Sequence, residues 1–259
     1  MSSPPSSSPC HLPSTDGRSW PRLAPLGVDG LLVSFGDRLG ETANRAALSF
    51  RAAVQSAGLQ GLAETAASLA SVYLRFDPEG FDPAKAEQAV CALLASRDWY
   101  GAELPKGRRL WRIPCIFDPA LAPQLAEAAQ AAGMTVEAAI RSITRTRLRV
   151  QTIGFAPGQP YLGELSAEWD IPRQTRLTDR VPVGALCVAI RQMVLFSVST
   201  PTGWRHVGQT AFRAFRPDSD QPFVLRAGDE VLFVPAPAET YPSLCESGPD
   251  GGATVEPIA

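Results

Sequence analysis

Gly154-Phe-Ala-Pro-Gly-Gln-Pro-Tyr-Leu-Gly163 is the stretch on which the reading of this chain turns. A strand-like run, Arg147 to Phe155, leads into it, and the ten residues hold two prolines and three glycines. Proline fixes φ, and glycine lets the backbone come close to another group, so this is a shaped loop. A plain surface linker would be richer in Ser, Asp or Lys. On these residues alone it is either a rigid turn between two parts of a fold or a loop that shapes a ligand site. It opens a longer block, Leu148 to Thr210, around which the rest of the chain is arranged.

Upstream of the loop, strand and helix signals alternate. Val28 to Gly36 is a short apolar strand closed by Gly36-Asp37. From Glu41 to Ala57, Ala43, Ala46, Ala47, Phe50, Ala53 and Val54 recur at helical spacing, and Gly58 is a natural stop. Leu69 to Phe76 alternates like a strand, and Asp82-Pro83 opens a helix that runs to about Ser96. Arg109 to Phe117 is a third strand. Pro123 to Ala132 and Thr135 to Thr146 are two further helices, the second with Thr135 as N-cap, and Leu148 to Phe155 is a fourth strand. Residues 26–147 thus read as an α+β domain of ferredoxin-like size.

Downstream the pattern changes. Val181–Ile190, Met193–Ser199, Trp204–Val207, Ala211–Phe215, Phe223–Leu225 and Glu230–Val234 are short β-type runs separated by turn residues. Such spacing predicts a small barrel or sandwich over residues 148–237. Residues 1–25, rich in Ser and Pro, read as a disordered tail, and residues 238–259, rich in Pro and Gly, as a flexible one.

The 259 residues supply ample apolar content for a core, and the net charge of −2 gives no electrostatic case for nucleic acid or an anionic membrane. No apolar run is long enough to cross a bilayer, and the N-terminus lacks a secretory pattern. Five cysteines, odd in number and without Cys-x-x-Cys, favour a reducing, cytoplasmic setting and buried thiols. With only His11 and His206, no metal centre is expected.

Neither standard nucleotide fingerprint is present, and Gly-x-Ser-x-Gly is absent as well. Arg173, Arg176 and Arg180 are either a solvated basic surface or an anion site, since guanidinium groups bind carboxylate or phosphate in a bidentate way. Trp204, in the constrained turn Pro201-Thr-Gly-Trp204, is a packing anchor or a platform for a ligand. His206, in an apolar strand, reads as structural.

Taken in order, Gly154-Phe155-x-Pro157-Gly158-Gln159-Pro160-Tyr161-Leu162-Gly163, Pro172-Arg173, Val181-Pro182-x-Gly184, Thr200-Pro201-Thr202-Gly203-Trp204 and Gly208-Gln209-Thr210 form a series. The series resembles the family of B-type subunits of bacterial 5-oxoprolinase, also called allophanate hydrolase subunit 1, which includes KipI-type inhibitors of a sporulation histidine kinase. Val33-x-Phe35-Gly36-Asp37, Ile113-Pro114 and Ala227-Gly228-Asp229 extend the match over about Val28 to Pro235. The chain departs from the family pattern at a helix His, here Ile143, at a loop Phe, here Gln159, and at the Arg of Gly-Arg-Thr, here Gln209. An expected Arg is Thr178, and only Gln192 and an aromatic remain of a further motif. Turn-forming residues are kept better than polar ones, as in a divergent subunit.

The resemblance implies an N-terminal α+β domain followed by a C-terminal cyclophilin-like β-barrel. It implies work with a C-type, allophanate hydrolase subunit 2-like partner, and ATP-dependent opening of the lactam of 5-oxoproline to glutamate. On that reading Arg173 and Gln192 are the catalytic candidates, and Pro157, Gly158, Tyr161, Gly184, Trp204 and Thr210 contact a small amide or lactam substrate. Arg173 with the Gly158 and Gly184 backbones would supply donors, and Tyr161 with Gln192 would orient the substrate. The alternative is a non-catalytic regulatory or binding protein similar to the kinase inhibitor.

Overall fold

The computed structural model describes residues 20–79 and 81–258. They divide at Pro105/Lys106 into two compact units. The expected tail thus lies outside the described residues up to position 19, and the remainder of it is ordered. Arg22–Pro25 forms β1 of the first unit, which continues as β2 (Gly30–Ser34), α1 (Glu41–Ala57), β3 (Leu62–Ser68), β4 (Ser71–Phe76) and α2 (Pro83–Leu94).

The local chemistry sets these bounds. Gly58 takes a left-handed φ of 58° and ends α1. The Asp82 carboxylate accepts from Ala84 N at 3.1 Å and Lys85 N at 3.2 Å, with Pro83 in the first helical turn of α2. Alternation in β4 turns Val72, Leu74 and Phe76 inward against Phe50 and Val54 of α1 and Val90 and Leu94 of α2. Phe50 is the hub, with ring centroids 5.5 Å from Phe35 and 5.1 Å from Trp99. Burying each such aromatic contributes about 1.5–3 kcal/mol.

The sheet order is β1-β2-β4-β3, antiparallel throughout. Order and direction of β2, β4 and β3 are those of a split β-α-β arrangement. The strand after α2, which would complete a ferredoxin-like sheet, instead joins the second unit, and β1 takes the outer place beside β2.

The second unit comprises β5 (Arg108–Cys115), α3 (Leu125–Ala131), α4 (Val136–Arg145), β6 (Leu148–Ile153), β7 (Pro160–Gly163), β8 (Thr178–Val181), β9 (Ala185–Ala189), β10 (Gln192–Leu195), β11 (Thr200–Thr202), β12 (Arg205–Gln209), β13 (Glu230–Pro235), α5 (Tyr241–Glu246) and β14 (Thr254–Ile258). Its main sheet runs β12-β9-β10-β7-β6-β13-β5-β14, with β13 and β5 parallel and the other neighbours antiparallel. The sheet is not a closed barrel. It curves enough that Ile116, just past β5, makes an isolated bridge to Gln209 at the end of β12, with mutual backbone bonds of 2.8 and 2.9 Å.

Three expectations need correction here. The segment from β5 through α4, expected in the N-terminal domain up to residue 147, is built into the second unit. The parallel β5–β13 pairing holds it there, together with a buried ion pair between Arg109 and Asp229. Asp229 also accepts from the backbone of Arg109 at 3.1 Å and of Arg226 at 3.0 Å, which explains the Ala227-Gly-Asp229 turn as a clamp between these strands. Residues 238–259, expected to be a loose tail, carry α5 and β14, and β14 pairs along the edge of β5. Ala211–Phe215 and Phe223–Leu225 are not strands; an isolated Phe215–Phe223 bridge, a bond from Val224 N to Ala214 O at 3.3 Å and the contact of the two Phe rings link them.

Candidate functional site

The loop Gly154 to Gln159 joins β6 to β7 as a hairpin. Gly154 N donates to Gln159 O at 3.1 Å, and Gln159 N donates to Ala156 O at 3.1 Å. Gly158, at a φ of 66°, approaches the carbonyl of Ala214, where an added Cβ would lie 3.0 Å from Ala214 O and from Phe215 Cβ. Gly158 therefore seats the loop on the segment after β12, while Pro157 is exposed. Phe155 stands at the tip, 76% exposed.

Side chains of β9 alternate between two packing layers. Leu186 and Val188 enter the main core, and Ala185, Cys187 and Ala189 face a smaller cluster with Val181, Val194, Phe196, Trp204 and Tyr161. Over that smaller cluster lies a groove of about 160 Å³. It is lined by Phe155, Gln159 and Tyr161 from the hairpin, Arg173 and Leu177, Val194 of β10 and Phe196 just after it, and Pro201 to Trp204. The Tyr161 ring meets the Trp204 ring edge-on at 6.0 Å, and the Arg173 guanidinium sits over the Trp204 ring, 5.5 Å from its centroid.

A network of glutamines that belongs to no sequence motif holds the far wall. Gln124 Nε2 donates to Gln174 Oε1 at 2.8 Å, Gln174 Nε2 donates to Trp204 O at 3.2 Å, and His206 N donates to Gln124 Oε1 at 2.8 Å. Gln174 N donates to Gly203 O at 2.7 Å, and Arg205 Nη1 donates to Pro172 O at 2.7 Å. Arg173 lies between these two anchored backbone points, so its position is fixed although its side chain is exposed. Thr178, which replaces a family Arg, accepts from Gln174 Nε2 at 3.4 Å.

The sequence candidates therefore separate. Arg173, Tyr161 and Trp204 come together in the groove. Gln192 does not line it: its side chain is buried and donates to Gln151 Oε1 at 2.8 Å. The Gly184 N–H, expected to be a donor for substrate, is used by Phe196 O at 2.8 Å. Thr210 donates to Gly184 O through both N and Oγ1, at 2.9 and 3.1 Å. Gly184 and Thr210 thus form a clasp between chain segments. Thr210 borders a separate cavity of about 280 Å³ with Val183, Arg213, Tyr241 and Cys245.

The departures from the family pattern have structural roles. Ile143 is fully buried in the main core. Gln209 Nε2 donates to Val183 O and Thr210 O, both at 2.9 Å, and so reinforces the clasp. Burial lowers the His206 imidazole below its ordinary 6.5, which keeps the ring neutral near pH 7. Burial likewise pushes the Cys115 and Cys187 thiols up, so neither is a nucleophile, whereas Cys245 is exposed against expectation.

Comparison with known proteins matches this arrangement to a class. The model of the carboxyltransferase domain, subdomain C and D, matches residues 21–225. The B-type subunit of 5-oxoprolinase from Bacillus subtilis (strain 168) is 27% identical over 232 residues, covering 85% of this chain and 95% of that protein. Its counterpart from Escherichia coli O157:H7 is 34% identical over 140 residues, or 54% of this chain and 64% of that protein. The crystal structure of TTHA0988 superposes with a TM-score of 0.68 at 30% identity over 82% of this chain, which spans only 40% of that one. The urea amidolyase of K. lactis shares the fold at a TM-score of 0.68 and 16% identity, over 92% of this chain and 16% of its own. This chain belongs to the carboxyltransferase subdomain C and D family, as a divergent member of the branch that holds the B-type subunits of 5-oxoprolinase. No helix among the described residues is long and apolar enough to cross a membrane.

Proposed function

We propose that this chain is the B-type component of a 5-oxoprolinase-type assembly and holds 5-oxoproline in the groove beside Trp204. The observation that carries the reading is the row Tyr161, Trp204, Arg173 within the groove. Arg173 has a fork of N–H donors suited to the substrate carboxylate, and the two aromatic rings offer flanks for the methylene edge of its ring.

Opening the lactam breaks its C–N bond, places a water oxygen on the carbonyl carbon and leaves the nitrogen as an amine, giving glutamate. Negative charge develops on the carbonyl oxygen along the way, which calls for several fixed donors. Of the donors expected on this chain, Gly184 N–H is engaged elsewhere, so a C-type partner completes the site. A groove of about 160 Å³ is below the span of about 300–1,000 Å³ usual for larger ligands. It does not fit ATP, and we assign the nucleotide no residue of this chain.

Affinity capture of the full chain from its native host, followed by an ATP-dependent 5-oxoproline assay on the captured assembly, tests the proposal. Turnover that depends on both this chain and its co-purified partner is expected. Captured material that neither binds 5-oxoproline nor turns it over overturns it. The second reading, a regulatory binding protein, is favoured by the loss of two family polar groups to structural positions, Ile143 in the core and Gln209 in the clasp. Capture of a sensor kinase without any lactam chemistry would establish that reading instead.

A further inference from the structure

Gln159 stands where the family pattern has Phe, and it is only 1% exposed while lining the groove. Its backbone is fixed by the hairpin bonds on both sides, and Tyr161, two residues on, shares its strand face. Its side-chain Oε1 is buried and has no hydrogen-bond partner among the described residues. Exchanging the amide O and N does not cure this, because a buried NH₂ would then be the unmet group. Leaving such a group unpaired is costly, and nothing in a hairpin requires a glutamine at this position. The residue behaves as one whose partner is a ligand.

We infer that Gln159 is a specificity-determining residue that reads the edge of a cis amide. A primary carboxamide carries an acceptor and a donor side by side. Its complement is a group offering N–H and C=O on the same edge. A secondary amide shows that edge only when cis, a form that an open-chain amide populates rarely and a lactam ring enforces. Gln159 thus selects cyclic secondary amides over linear peptides. Tyr161, Trp204 and the Arg173 cation line the same groove as Gln159. A lactam bearing a carboxylate on its ring offers a group to each of them. The inference rests on the groove being the ligand site, and it assigns the amide end of the ligand to one residue.

The experiment is calorimetric titration of the purified full chain and of its Gln159→Leu variant. The probes are 5-oxoproline, N-methyl-5-oxoproline, which lacks the N–H, and an acetylated linear dipeptide. Wild type is expected to bind 5-oxoproline at least tenfold more tightly than either other probe, the range of one or two buried hydrogen bonds. Gln159→Leu should lose that preference while its Tm stays level or rises, because it removes an unmet polar group. A glutamine with a purely structural role would lower Tm on replacement. Equal binding of 5-oxoproline and its N-methyl derivative by wild type overturns the inference, as does unchanged selectivity in Gln159→Leu. Failure of every probe to bind wild type overturns it too. If the captured assembly fails to open 5-oxoproline but the Gln159-dependent preference is seen, the inference stands and the proposed reaction falls.

Discussion

Replacing Gly184 by alanine tests the clasp that sets the back of the second unit. Gly184 has a φ of 81°, and a Cβ there would overlap the carbonyl oxygen of Thr210 and lie 3.1 Å from Gln209 Nε2. The left-handed conformation costs an alanine about 1–2 kcal/mol. The overlap adds about 1–3 kcal/mol, because the opposing atoms are backbone held by their own bonds. Thr210 N and Oγ1 both donate to Gly184 O, and Gly184 N donates to Phe196 O, so neither strand can retreat without losing a buried bond. The expected loss is about 2–5 kcal/mol. Urea denaturation followed by circular dichroism would show it as a lower midpoint at unchanged slope. Gly154→Ala is the matched control in the same unit: a Cβ there meets nothing within 4 Å, and its change should stay within about 0.5 kcal/mol. If both variants match wild type, the close approach of Gly184 to Thr210 is not a real constraint.

Other consequences are equally open to measurement. Asp229→Ala removes the ion-pair partner of Arg109 in a largely buried setting, leaving it the bond to Val224 O, and should cost about 3–5 kcal/mol in denaturant titrations. His206 is held neutral by burial, so the unfolded chain binds its proton more readily than the native one. The stability it contributes is complete above 6.5 and is lost as pH falls from there through the lowered native value. A His206→Gln variant should lack that part of the slope in Tm measured against pH. Arg173→Ala, at an exposed side chain, should leave Tm within a degree or two of wild type. It should weaken 5-oxoproline binding by roughly tenfold or more, since a charge-assisted hydrogen bond is worth about 1.5–3 kcal/mol.

The elements with strong local signals were legible in the sequence. α1 ends at Gly58, α2 begins on Asp82-Pro83, and Thr135 caps α4 by accepting from Ala138 N at 3.2 Å, each as the residue chemistry requires. β1, β3 and β14 were not legible, because edge strands such as Leu62–Ser68 and Thr254–Ile258 bury little and carry no apolar alternation. The domain boundary was misplaced for a related reason. A run of alternating strands and helices does not say which sheet each strand joins, and β5 is claimed by β13 more than a hundred residues later. Of the site, Arg173, Tyr161 and Trp204 were visible through their motifs. Gln159 was seen only as a departure, since an unmet amide is a property of packing. Gln124 and Gln174 gave no signal at all, because isolated glutamines have no local pattern.

The most direct test of the groove as the ligand site is NMR of the full chain labelled at its five tryptophan indoles during titration with 5-oxoproline. The Trp204 indole N–H signal, identified by its absence in Trp204→Phe, should shift in a saturable way, and those of the core residues Trp111 and Trp169 should stay in place. Saturable binding that leaves the Trp204 signal unmoved would contradict the assignment.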